Sequence, residues 1–101
     1  MPVDLGEVLG AVSDTSRRRM LARLAQGPAT TGQLAELLPI SRPAASQHLK
    51  LLQGAGLIHT TVVGRHRWHQ LRPDPLLAVA HWATDVVARH AKSPELRPTE
   101  Q

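Results

Sequence analysis

The stretch "ISRPAASQHLK", Ile40 to Lys50, carries side chains suited to hydrogen bonding with an outside partner rather than to burial. Arg42, Ser46, Gln47, His48 and Lys50 all offer donors, and Ser46 and Gln47 also accept. Pro43 and Ala44 are small enough to let a surface approach closely. Such a set can read a pattern of donors and acceptors but supplies no covalent chemistry. Elsewhere no Ser, His and Asp form a nucleophile motif, and no glycine-rich phosphate loop occurs. The eight carboxylates are scattered along the chain. The expectation is a protein that is not an enzyme and needs no cofactor.

Charge placement gives the partner a sign. No Asp or Glu occurs between Glu36 and Asp74, while Arg42, Lys50, Arg65, Arg67 and Arg72 all do. The rest of the chain is nearly balanced, with seven cations against eight carboxylates. One basic third in a balanced chain is the footprint of a surface that meets phosphates. Trp68 and Trp82 are the only aromatic side chains among Phe, Tyr and Trp. A stacking platform for single strands is therefore not expected, and the partner is read as double-stranded DNA.

The elements that must hold these residues follow from periodicity. A short amphipathic helix carries Leu5, Val8, Leu9 and Val12 on one face. A second, "TSRRRMLARLAQG", is capped by Ser13 or Asp14 and stops at Gly27-Pro28. Thr30 or Thr31 opens a third, "TGQLAELL", which Pro39 ends. Ser41 then caps the helix of the opening stretch. Pro43 in its first turn removes only an amide hydrogen that has no intrahelical acceptor, so it marks a start. Ala45, Leu49 and Leu52 form the inward stripe of that helix, which ends at Gly54 or Gly56. "LIHTTVV" and "HRWHQL" read as a hairpin around a "GR" turn. After "RPDP" comes a last helix, "LLAVAHWATDVVARHA". Its apolar residues spread beyond one stripe, which points to cover by a second subunit.

The short third helix, the turn "PI" and the following helix have the shape of a helix-turn-helix. Its second helix offers its leading residues to base edges in the major groove. That groove is about 12 Å wide and favours a slim, hydrogen-bonding end. Ser46 and Gln47 suit base edges, and Arg42 suits a guanine or a phosphate. The tip "GRHR" places Arg65, His66 and Arg67 beside a glycine turn, ready for backbone or minor groove. Alanine at Gln47 or Arg42 should then lower discrimination, and alanine at Arg65 or Arg67 should weaken all sequences alike.

From about Val8 to Leu71 the chain resembles the ArsR-type winged-helix repressors of bacteria. "SDTSRRRMLARLAQGP", "TTGQLAELLPISRPAASQHLKLLQGAGLI" and "GRHRWHQL" carry the resemblance, the second most specifically. It implies a mainly α fold with a β-hairpin wing, in the order α-α-α-α-β-β-α. It also implies a homodimer through the first and last helices, on an inverted-repeat operator, acting as a repressor. By position, Arg42, Pro43, Ser46 and Gln47 face the major groove and Arg65, His66 and Arg67 form the wing tip. Ser41, His48 and Lys50 complete the expected DNA-binding set. The expected dimer contacts are Leu5, Val8, Leu9, Leu76, Val79, Trp82, Ala83 and Val86.

Many proteins of this kind release DNA on binding metal. The two cysteine positions of their metal box fall on Thr30 and Gly32, and this chain has no cysteine. The positions of their last-helix site fall on Pro73, Pro75, Val86 and Arg89, a set unsuited to a transition metal. No metal is expected. His81, Asp85 and His90 share the last helix, and His59 and His69 are read as near neighbours across the hairpin. For all of these, hydrogen bonding or surface exposure is expected rather than ligation. Two other readings stay open, a switch by a small molecule near Trp82 and a winged scaffold whose basic face binds an acidic protein. Residues 1–92 are read as one domain and 93–101 as a disordered tail. No stretch reaches the ~18 apolar residues of a membrane span, and the expected location is the cytoplasm.

Overall fold

The computed structural model describes residues 3–94. The expected disordered tail falls almost wholly outside them. Five helices and three strands follow in order: α1 (Leu5–Ala11), α2 (Thr15–Leu24), β1 (Ala29–Thr30), α3 (Thr31–Glu36), α4 (Arg42–Gly54), β2 (Ile58–Val63), β3 (His66–Leu71) and α5 (Asp74–Ala91). The architecture is the expected winged helix-turn-helix with one addition. β1 pairs with β3, making a three-stranded antiparallel sheet in the order β1-β3-β2. Two residues after a Gly-Pro turn carry too little pattern to announce a strand.

Helix starts are set by side-chain caps. Asp4 accepts from the Glu7 amide, Asp14 from Arg17 and Ser41 from Ala44. Thr30 and Gln33 form a reciprocal capping box at α3. The caps left open by the sequence are thus Asp14 and Thr30. α4 runs to Gly54, and Gly56 follows in the left-handed region at a φ of +76°. α5 begins at Asp74, inside the segment read as a break. A proline in the first turn is compatible with a helix, and Pro75 lies there.

The core lies where α1, α2, α3 and α4 meet the sheet. Met20, Leu34, Leu52, Leu57 and Val8 are its largest fully buried side chains. Val8 is therefore a core residue of its own chain, not a dimer contact, because α1 turns that position inward. Leu76 and Val79 of α5 pack on the core's edge, but Pro75 is the only buried residue of that helix. Beyond them α5 leans on α1 and extends away. The radius of gyration is 17.9 Å, against about 13 Å for a compact chain of 100 residues.

Candidate nucleic-acid interface

α4 sorts its residues by face. Ala45, Leu49 and Leu52 are buried, while Arg42, Pro43, Ser46, Gln47 and Lys50 are exposed, together with the cap Ser41. The inward stripe fixes the helix on the core, and the outward set is held in register by it. The hydroxyl of Ser41 accepts from the Ala44 amide at 3.2 Å, so that oxygen is engaged in capping.

His48 departs from expectation. Its position falls on the flank of α4 that faces α2, and its Nδ1 accepts from the Arg17 guanidinium at 3.0 Å. The Asp14 carboxylate lies 3.8 Å from the same nitrogen. His48 therefore ties α4 to α2 and does not stand on the base-reading face. Arg17 also donates to the carbonyls of Ala11 at 2.6 Å and Gly10 at 3.3 Å, closing the end of α1. The Arg17 amide donated to Asp14 holds that carboxyl below its usual range, and the guanidinium and His48 add to the effect. Nothing in the sequence flags this junction, because 31 residues separate Arg17 from His48.

The wing closes through the pair Val63 and His66 around Gly64-Arg65. Gly64 has a φ of +61°, as a type II′ hairpin turn asks of its first central residue. Arg65, His66 and Arg67 are all exposed. Side chains alternate across the sheet, so Thr60 shares a face with its partner His69, and His59 shares the other with Gln70. His59 and His69 thus point to opposite faces and are not neighbours. His59 lies instead 3.4 Å from the Arg72 guanidinium.

His69 is the one buried polar residue of the described set. Its Nε2 lies 2.8 Å from the Thr31 hydroxyl and its Nδ1 2.9 Å from that of Thr60. One nitrogen donates and the other accepts, which a neutral ring does. Burial, then the Arg67 charge, pushes its pKa below the usual 6.5. The ring pins the start of α3 to the wing, a role that sequence spacing does not reveal. Trp68, on the outer face opposite Thr61 and Thr30, is half-buried.

Among the described residues, Arg42, Lys50, Arg65 and Arg67 have no carboxylate within ion-pair distance; Asp14 approaches His48, and Asp85 pairs with Arg89. The Arg89–Asp85 pair, at 2.9 Å, engages the carboxylate that shares α5 with His81. No group of three or more His, Cys, Asp and Glu comes together among these residues. At the other end, Leu9, Leu77, Trp82, Val86 and Val87 are exposed apolar side chains, Ala83 is exposed, and Leu5 is partly so. Among the described residues, no helix is long and apolar enough to cross a membrane.

Residues 12–61, which span this helix-turn-helix, match a family described as "Helix-turn-helix domain". The transcriptional repressor SdpR of Bacillus subtilis is 31% identical over 83 residues, covering 82% of this chain and 92% of the repressor. A crystal structure of an ArsR family transcriptional regulator superposes with a TM-score of 0.84 at 30% identity. That match covers 89% of this chain and 93% of the other. The chain belongs to the ArsR family. It carries the helix-turn-helix of that family, whose members here are named transcriptional regulators and repressors. The HTH-type transcriptional regulator Rv2034 of Mycobacterium tuberculosis is 48% identical over 69 residues, which are 68% of this chain and 64% of that regulator. Against the latter relative, the match thus spans somewhat under two thirds of its length.

Proposed function

We propose that this ArsR-family protein is a cytoplasmic homodimeric repressor that binds an inverted-repeat operator and works without a metal. Each subunit lays α4 in a major groove, the two grooves being about one helical turn, 34–36 Å, apart. Ser46 and Gln47 meet base edges, Pro43 allows close approach, and Arg65 and His66 follow the backbone. The observation that carries this reading is the pairing of faces on α4. A buried Ala45–Leu49–Leu52 stripe holds an exposed polar edge beside a wing whose arginines have no partner among the described residues.

The dimer rests on α5. Trp82 is 48% exposed and Val87 68%, on a helix whose main neighbour is α1. A second copy bringing the same face would cover both. Metal independence rests on Thr30 and Gly32. The Thr30 hydroxyl is spent on the α3 cap, accepting from Gln33 at 3.1 Å, and Gly32 has no side chain.

The test is fluorescence anisotropy with labelled duplex from the upstream region of the protein's own gene, with scrambled duplex as competitor, with and without zinc. Binding that survives the competitor and ignores zinc is the expected result. Release by zinc at low concentration would overturn metal independence. Binding no tighter than to scrambled duplex, there and across a random-sequence pool, would overturn operator recognition.

A further inference from the structure

Between the start of α4 and the wing lies a cleft of about 240 Å³, lined by Thr30, Thr31, Gly32, Arg42, Ser46, Arg65, His66 and Arg67. Three arginines line it, and no carboxylate does. Like charges gathered in one cleft repel, so the arrangement works against stability until an anion enters. Of its hydroxyls, Thr30 is committed to the α3 cap and Thr31 to His69. Ser46 has no hydrogen-bond partner among the described residues.

Arg42 has a particular seat here. Its side chain folds back over Gly32, so close that a Cβ at position 32 would lie 2.5 Å from a guanidinium nitrogen. It is thereby held against the start of α3, on the wall of the cleft that the wing also lines. Arg67 lines the same cleft from β3, on the side of the sheet where its charge also acts on His69. A guanidinium fork matches the oxygens of a phosphate, and two forks can share one.

We propose that Arg42 and Arg67 jointly clamp a single backbone phosphate of the bound duplex in this cleft, over the bare backbone of Gly32. The inference rests on the DNA-binding reading and changes the role expected for Arg42, from reading a guanine to fixing position. Ser46 borders both this cleft and the neighbouring one under Lys50 and Gln53. The seated phosphate then sets how deep α4 enters the groove, while Gln47 reads the base. Phosphate contacts position a protein and base contacts specify the sequence.

The experiment uses the full chain and a labelled duplex selected by it from a random-sequence pool. Single phosphates are replaced by neutral methylphosphonates along each strand, and affinity is read by anisotropy. Wild type should lose about tenfold at one position, the scale of a charge-assisted contact. Arg42→Ala and Arg67→Ala should both be blind to that same position, and the double variant should lose less than the product of the singles. Each should flatten the salt dependence by about one unit of slope. The ratio of selected to scrambled affinity should stay within about twofold.

Gly32→Ala separates binding from folding. Its Cβ meets only the mobile end of Arg42, and alanine suits the helical backbone there. The melting temperature should hold or rise while sensitivity to that phosphate disappears. Two outcomes overturn the clamp with DNA binding intact. In one, Arg42→Ala shifts the sequence preference and leaves the methylphosphonate pattern unchanged. In the other, Arg42→Ala and Arg67→Ala blind the protein to different phosphates. A wild type that selects no duplex from the pool would overturn the DNA-binding reading and the clamp together.

Discussion

Helices α4 and α5 have 13 and 18 residues and similar amphipathic sequences, yet they end in opposite situations. α4 buries Ala45, Leu49 and Leu52 and turns polar side chains outward. α5 buries Pro75 and leaves Leu77, Trp82, Val86 and Val87 exposed. One helix has its apolar face satisfied within the chain and its polar face free for a partner. The other has an apolar face that its own chain does not cover. The apolar stripe is a folding device in the first case, and in the second it is the surface on which the proposed dimer rests. The same 3.6-residue pattern serves both, and only the neighbours decide which.

The sharpest way to test that contrast is to truncate each face. Leu52→Ala should cost about 2–5 kcal/mol in urea unfolding, because it hollows a fully buried site. Leu51→Ala, next along the helix but exposed, should stay within roughly 0.5 kcal/mol. Equal costs would show that α4 is rotated from the orientation described. On α5, Trp82→Glu should leave far-UV circular dichroism unchanged and weaken self-association by at least about thirtyfold in sedimentation, as loss of an interface anchor does. A variant that stays dimeric at wild-type concentrations would remove α5 from the interface.

A smaller effect tests the polar edge of α4. Gln47→Ala should narrow the gap between selected and scrambled duplex by about 1–3 kcal/mol if Gln47 makes a bidentate base contact. An unchanged ratio would take base reading away from that residue. The mildest prediction concerns His69, which holds the wing to α3. Its folded-state pKa is depressed below 6.5, so the unfolded chain takes up a proton first as pH falls. Stability should therefore decline as pH drops from about 6.5 through the depressed value and level off below it. His69→Gln should flatten that limb in thermal melts, and an identical slope in the variant would assign it to another group.

Much of this could be read from the order of residues. Element identity followed from local rules. A Ser-x-Pro start marks α4, a glycine turn marks the wing, and the apolar spacing of α1 to α4 marks a helix-turn-helix. The positive sign of the surface followed as well, since no carboxylate interrupts residues 37–73. Composition and near-neighbour spacing carry such information because caps, turns and stripes act over four residues or fewer.

What needed the tertiary structure were the contacts between distant segments. The resemblance puts Val8 at the dimer interface, and only packing against the other helices shows that the chain itself covers it. His48 looked like a reader because it sits on the reading helix, until Arg17 is seen to hold it from α2. The separation of His59 from His69 depended on strand register, where one residue moves a side chain to the other face. Arg42 over Gly32 joins residues ten apart across a turn whose angle no local pattern sets. Short-range chemistry is written along the chain. Which long-range neighbours meet is decided when apolar faces compete for the same core.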